Sequence, residues 1–259
     1  MKEMLDEIME NKYNILITLN SSYFDFGLIF MNSLFDNNDM DLVDTIFIAD
    51  VGLNELDKQV FESYDKVTII ESDIESDFNN GGTWGKGWQT AVQSKTKFLL
   101  QVLKLSDKDV MMIDSDCLIT KPLHNVIGTE DIQVCDRSHE NKNVPFLGSY
   151  IYIRNTIIGK RFVSRWIYNI ENSTKAGAKE SPALTEAVAS VDTKYIKLID
   201  RVMVSCYNKV EYEQYDSTPF IIHFKGGSIS KNSDIDKNKR LFGTHGFNEL
   251  VNKYLQCIQ

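Results

Sequence analysis

Prolines are scarce in this chain, four in 259 residues, and no low-complexity tract appears. No linker therefore announces a domain boundary, and residues 1–259 read as one domain, near the upper limit for a single core. Cysteine is equally sparse. Cys117, Cys135, Cys206 and Cys257 lie far apart and form no CxxC pair, which argues against a zinc site and, at this length, against a disulfide framework. Reduced, mostly buried thiols are expected. Positive charge is short too: 28 Lys and Arg face 37 Asp and Glu, a net charge of −9. That speaks against broad electrostatic binding to nucleic acid or anionic membranes. No apolar run approaches the ~20 residues that a membrane span needs. The acidic N-terminus, Met1 to Glu7, lacks the apolar h-region of a signal peptide. A cytoplasmic location is expected.

What the chain does have is the composition of a soluble globular protein, 42% hydrophobic and 25% charged. Its first half alternates two patterns. Short apolar, β-rich runs predict strands at Tyr13 to Leu19, Thr45 to Ala49, Lys66 to Ile70 and Asp109 to Ile113. Helical spacing predicts helices over Asp25 to Phe35, Asn54 to Tyr64 and Gln89 to Leu105. Such alternation implies parallel β-α units with right-handed crossovers, and ligands then sit beyond the carboxyl ends of the strands. The second half is less regular. Strands are expected at Asp131 to Cys135, Ser149 to Arg154 and Pro219 to Phe224, with helices at Ile157 to Glu171 and Thr185 to Ser190. Lys225 to Gly246 has the composition of a loop or lid, and Gly246 to Ile258 could close as an amphipathic helix.

The sharpest local signal is Val110-Met111-Met112-Ile113-Asp114-Ser115-Asp116, an apolar strand ending in two carboxylates one residue apart. At that spacing both can reach one cation, directly or through water. Carboxylate oxygens suit Mg²⁺ or Mn²⁺, ions that also take phosphate oxygens as ligands. A nucleotide-sugar carries a diphosphate leaving group, and a divalent ion neutralises the charge that group gains as the glycosidic bond breaks. Much later, Phe220-Ile221-Ile222-His223-Phe224-Lys225-Gly226-Gly227 puts a histidine near the end of an apolar strand. His223 can serve as a third metal ligand, Lys225 can pair with a diphosphate, and the glycines permit close backbone approach. The same segment also reads as a satisfied core histidine beside an ordinary turn.

From Lys225 to Arg240 five cations face Asp234 and Asp236, a local excess of three positive charges in an acidic protein. Such a segment could fold over a diphosphate or simply be solvated. Gly81-Gly82-Thr83-Trp84-Gly85-Lys86-Gly87-Trp88 sets four glycines around two tryptophans. It offers either a stacking platform for a sugar or a loop whose tryptophans cap the core. It is not a P-loop, because no G-K-[ST] follows.

Taken together, these segments resemble the GT-A nucleotide-diphospho-sugar transferases, and loosely the glycosyltransferase family 8 group. The likeness runs from about Tyr13 to Gly227. Its elements are an opening strand with Thr18, a helix carrying Ser94-Lys95, the segment MMIDSDCLITKPL, and the late His223-Phe224-Lys225-Gly226 motif. The resemblance implies an α/β fold with a mixed, mostly parallel central sheet flanked by helices. Its nucleotide-binding half would be about 13–122, its acceptor and donor-sugar half about 123–227, and a C-terminal lid and helix about 228–259. It implies that Asp114, Asp116 and His223 ligate Mn²⁺ or Mg²⁺. Thr18 would lie near the base or ribose, Lys95 on the donor side, and Ser115, Lys225 and Gly226 by the diphosphate. In the family a D-Q-x-x-L-N stretch brings an acid to the donor sugar. The nearest segment here is Glu180-Ser181-Pro182-Ala183-Leu184-Thr185, which offers Glu180, with Glu186 as a second candidate. The family's F-N-A-G-V strand is replaced by Phe146-Leu147-Gly148-Ser149-Tyr150, and the K-P-W that often follows the late motif is missing.

The expected activity is transfer of a sugar from a nucleotide-sugar, UDP-sugar favoured, to a hydroxyl acceptor such as a glycan, the resemblance leaning towards retention. A sugar-phosphate nucleotidyltransferase would need a glycine-rich, basic motif after the first strand, where this chain has Asn20-Ser21-Ser22. A non-catalytic nucleotide-sugar or glycan-binding module is the remaining alternative. Oligomeric state is not legible.

Overall fold

The computed structural model describes residues 12–71, 86–173, 179–207, 209–215, 219–224 and 253–254. Four strands from the first half form a run of parallel neighbours in a seven-stranded sheet: β1 (Tyr13–Leu19), β2 (Val43–Asp50), β3 (Val67–Ile70) and β4 (Asp109–Ile113). The sheet order is β3-β2-β1-β4-β7-β6-β8, with β6 (Ile132–Asp136), β7 (Phe146–Ile153) and β8 (Ile196–Asp200) completing it. β7 runs antiparallel to both β4 and β6, whereas β6 and β8 are parallel. A separate two-stranded ribbon pairs β5 (Cys117–Ile119) with β9 (Ile221–His223), antiparallel.

Side-chain alternation along the strands divides the core into two layers, because successive residues of a strand face opposite sides. Tyr13, Ile15, Ile17 and Leu19 of β1 join Met111 and Ile113 of β4 on one face. There they meet Leu28, Phe30, Met31 and Leu34 of α1 (Phe24–Asn37) and Phe61 of α2 (Glu55–Glu62). Leu16, Val110 and Met112 point the other way. They pack on α3 (Lys86–Leu105), α4 (Ile157–Asn172) and α5 (Glu180–Ala189) through Leu99, Val102, Trp166 and Leu184. Strands buried on both faces explain the near-continuous apolar runs of the sequence. The helices begin where local chemistry supplies caps: Asn54 accepts from the Asp57 amide and Thr156 from the Gly159 amide. Two short helices, α6 (Arg201–Val204) and α7 (Lys209–Gln214), connect β8 towards β9.

This order has a functional consequence. The chain leaves β1 for β2 on one side and later returns to β4 on its other side. In open α/β sheets such a reversal opens a crevice beyond the carboxyl ends of the two strands. Thr18 lies near the end of β1 and Asp114 to Asp116 follow β4, so both stand at that end of the sheet. The region from 228 to 252, the glycines at 81–85, Lys225 and Gly226 lie outside the described residues.

Candidate metal and donor site

Three elements carry the acidic motif and its partners. Asp114, Ser115 and Asp116 bridge β4 and β5, and the Asp114 amide is tied to the Ser149 carbonyl of β7 at 3.0 Å. β5 then pairs with β9 in a register that sets Cys117 opposite His223. The ribbon thus brings the late histidine to the motif from more than a hundred residues away. His223 Nε2 lies 3.3 Å from Asp116 Oδ1 and 3.8 Å from Asp114 Oδ2. Its Nδ1 lies 2.8 Å from Ser205 Oγ. With the proton on Nδ1, the ring donates to Ser205 and presents the Nε2 lone pair to the carboxylates, the orientation that a metal ligand needs.

Single ligand atoms from Asp116, Cys117 and His223 lie within 4.8 Å of one another. Cys117 was not among the sequence candidates. Burial, then Asp116 and Asp114, push its thiol pKa well up, so it stays protonated and suits a hard cation poorly. Asp114 stands outside that set of mutual distances, but its Oδ2 faces the same ring nitrogen. Burial works against ionisation of Asp116, yet in the metal-free protein His223, when Nε2 carries a proton, and then Lys95 hold its pKa below the usual carboxylate value. Asp116 and the His223 imidazole, with Asp114 Oδ2 facing the same ring nitrogen, offer a donor set that suits Mn²⁺ or Mg²⁺.

Lys95 is the second centre. It is 5% exposed and reaches Asp114 Oδ1 at 2.9 Å, the Gly148 carbonyl at 3.0 Å and Glu180 Oε1 at 2.5 Å. Burial disfavours its charge, but Asp114 and Glu180 outweigh that and raise its pKa. Glu180, first residue of α5, is also buried. Burial pushes its pKa up, Lys95 offsets part of this, and Asp114 adds to the rise. The Trp166 indole N–H fixes the helix start by donating to the Glu180 carbonyl at 3.0 Å. A Cβ at Gly148 would collide with Glu180 Oε1, so the segment Phe146 to Tyr150 needs glycine at that position. The helix begins at Glu180, five residues before the predicted Thr185, because Pro182 falls in the first turn, where proline is tolerated.

The structure therefore brings together Asp114, Asp116, His223, Lys95 and Glu180, with Ser115 buried between the aspartates. Thr18 is half-buried, and its hydroxyl has no hydrogen-bond partner among the described residues. Glu180 Oε1, although charge-paired with Lys95, likewise lacks an aligned donor. Glu186 is exposed, ~9 Å further along α5, and no hydrogen bond or ion pair joins it to the cluster among the described residues. Tyr23 was missed by sequence reasoning. Burial, then the charges of Asp116 and Asp114, raise its pKa. Its position two residues after Ser21 in a loop of β1 gave no pattern to detect. An open groove of roughly 470 Å³ between α3 and α4, lined by Lys97, Leu100, Gln101, Lys104, Leu105 and Ile167, contains none of these residues.

No curated protein sequence matches the chain, but solved structures do. Ligand-free WbbM, a bifunctional glycosyltransferase, superposes with a TM-score of 0.61 at 12% identity, over 95% of this chain and 52% of that one. Ligand-free GlyE, a glycosyltransferase of Streptococcus pneumoniae TIGR4, gives 0.59 at 15% identity, over 95% and 60%. The galactosyltransferase LgtC, in complex with donor and acceptor sugar analogues, gives 0.57 at 10% identity, over 94% and 95%. The chain thus spans about half of WbbM and three fifths of GlyE, and at these identities the likeness is one of GT-A fold. A family model described as nucleotide-diphospho-sugar transferase matches residues 53–241, well over half of the sequence, and this chain belongs to that family.

Proposed function

We propose that the protein moves a sugar from a nucleotide-diphospho-sugar to a hydroxyl acceptor such as a glycan, holding the donor at Asp114, Asp116 and His223. The observation that carries this reading is the convergence of these three side chains at the β1/β4 crevice, beside the buried Lys95–Glu180 pair. A bound Mn²⁺ or Mg²⁺ would supply positive charge against the diphosphate leaving group. Ser205 keeps His223 turned towards the aspartates. Lys95 holds Asp114 by one oxygen, leaving Oδ2 free to face the ring. Glu180 Oε1, buried and without an aligned donor, is suited to accept a hydrogen bond from a donor-sugar hydroxyl. Thr18 and Tyr23 flank the place where a base or ribose would lie, and Lys225 and Gly226, outside the described residues, are the sequence candidates for the diphosphate. The family 8 likeness favours a UDP-sugar and retention of configuration. LgtC, a galactosyltransferase solved with donor and acceptor sugar analogues, shares the fold. Among the described residues no helix is long and apolar enough to cross a membrane.

Thermal unfolding with a panel of nucleoside diphosphates, with Mn²⁺ or chelator, tests this reading. A ligand at about 100 times its dissociation constant adds roughly 2.7 kcal/mol, worth several degrees at this size. One nucleotide is expected to raise Tm only with Mn²⁺, and Asp116→Ala is expected to abolish the rise. If no nucleotide shifts Tm, the metal-diphosphate reading fails and a glycan-binding module becomes the better account.

A further inference from the structure

Behind the His223 ring, away from the two aspartates, lies a charged cluster with no part in the reading above. Arg201, the first residue of α6, is 2% exposed. Its Nη1 and Nη2 donate to Glu211 Oε2 and Oε1 at 3.0 and 2.6 Å, a bidentate pair with α7. Its Nε donates to Glu140 Oε1 at 2.5 Å, reaching the connection between β6 and β7. The same guanidinium donates to the Ser205 carbonyl at 3.1 Å and lies over the Tyr207 ring, 4.1 Å from its centre. Glu211 Oε2 in turn accepts from the Tyr207 amide at 3.0 Å.

Ser205 and Tyr207 are the residues that touch His223 from behind. The Ser205 hydroxyl meets Nδ1, and the Tyr207 ring stands edge-on at 5.9 Å. Cys206 between them is laced to β9 by its amide to Ile221 at 3.0 Å and by its carbonyl to the His223 amide at 2.8 Å. On the side away from the aspartates, the two groups that meet the imidazole belong to one three-residue segment, and Arg201 grips that segment at its first and last residues. A buried cluster of this kind is weak evidence of stability, since well-packed apolar residues often do as well. What apolar residues cannot do is fix a carbonyl and an amide in direction. The guanidinium fork can, and a lysine cannot reproduce it.

We propose that Arg201, clamped between Glu140 and Glu211, is a positioning residue for His223: it sets Ser205 and Tyr207 so that Nδ1 is taken by the Ser205 hydroxyl and Nε2 is left facing Asp116 and Asp114. The proposal rests on His223 being a metal ligand, and its test separates the two. Partners behind a metal-binding histidine typically govern 10–100-fold in metal affinity.

Mn²⁺ affinity is measured from the free-ion EPR signal for wild type, Arg201→Lys, Glu211→Gln and Ser205→Ala, with Asp116→Asn as control. Urea midpoints are recorded for each. Long-range ¹H–¹⁵N spectra of histidine-labelled protein report the His223 tautomer. Ser205→Ala removes one hydroxyl and leaves the ion cluster whole, so it keeps the test alive should Arg201→Lys fold poorly. The expected result is a 10–100-fold weaker Mn²⁺ affinity in Arg201→Lys and Ser205→Ala, with the Nδ1-protonated signature of His223 lost in both. The double variant is expected to be no weaker than the weaker single one, because both act along one path. Wild-type affinity and tautomer in both variants, with binding lost in Asp116→Asn, would leave the metal site standing and overturn the role of Arg201. No Mn²⁺ binding by wild type would overturn the metal reading and this proposal with it.

Discussion

Lys95 and Glu180 meet in a space that a side chain at position 148 would fill. The Gly148 carbonyl accepts from Lys95 Nζ, while a Cβ on the same residue would overlap the Glu180 carboxylate. Gly148→Ala must therefore displace the carboxylate from the ammonium, leaving two buried charges less well matched. Overpacking of this kind costs about 1–3 kcal/mol, readable in a urea midpoint. Asp114, Asp116 and His223 are not touched by the change, so the Mn²⁺-dependent nucleotide shift is expected to survive. Turnover of the donor sugar is expected to drop at least about tenfold, roughly 1.4 kcal/mol of transition-state stabilisation. Equal losses in binding and turnover would instead tie Gly148 to the whole site. At this scale the sequence was informative wherever a signal was local. Asp114 and Asp116 announce themselves at a strand end, and His223 sits in its own apolar run. Gly148, Ser205 and Tyr23 do not, since each acquires its role from a residue 18 to 93 positions away.

Elements were legible in proportion to their burial. β1 and β4 fall on the predicted boundaries because strands covered on both faces are apolar throughout. β8 was not predicted. It pairs only with β6 in the sheet, and Ile199 alone of its five residues is buried, so Ile196–Asp200 carries almost no pattern. α6 and α7 are four and six residues long and owe their place to the Arg201 ion pairs, which no periodicity encodes. The end of α3 depends on another distant residue. Asn155 Nδ2 points at the carbonyls of Leu103, Ser106 and Lys108 at 3.1, 2.6 and 3.2 Å, and its amide donates to Asp109 Oδ1 at 2.8 Å. One amide group has two protons, so Asn155→Ala removes two hydrogen bonds and leaves carbonyls at a helix end unpaired. A loss of about 1–3 kcal/mol in urea unfolding is expected. β4 separates this clamp from the acidic motif by ~15 Å, and the nucleotide-induced shift is expected to remain as in wild type. A lost shift would show that α3 transmits its C-terminal packing to Lys95.

Across the whole molecule, the parallel first half followed from alternating strands and helices, while the antiparallel insertion of β7 between β4 and β6 did not. Neighbours in a sheet are chosen by how layers close, and β7 reads the same in either direction. The longest ties in the fold reach the far end of the chain. Tyr254 is buried with Phe26, Ile29, Leu118, Ile222 and Phe224. Its hydroxyl accepts from Asn37 Nδ2 at 2.7 Å, its carbonyl from Asn32 Nδ2 at 3.1 Å, and Lys253 pairs with Asp36 at 2.9 Å. One aromatic side chain thus closes the layer formed by α1 and the β5–β9 ribbon. Leu118 follows Cys117, and Ile222 precedes His223, so this layer also lies beneath the proposed metal site. Tyr254→Ala opens a cavity in it and is expected to cost about 3–5 kcal/mol, at least ~6 °C in Tm at 2–4 °C per kcal/mol. Tyr254→Phe keeps the ring and is expected to cost only about 1 kcal/mol, because Asn37 Nδ2 also donates to the carbonyls of Ser33 and Ile119. Mn²⁺ affinity should follow the same ranking if the ribbon carries His223 as a rigid unit. A destabilised Tyr254→Ala protein that binds Mn²⁺ like wild type would mean that the Asp116–His223 pairing holds its geometry without the layer beneath it.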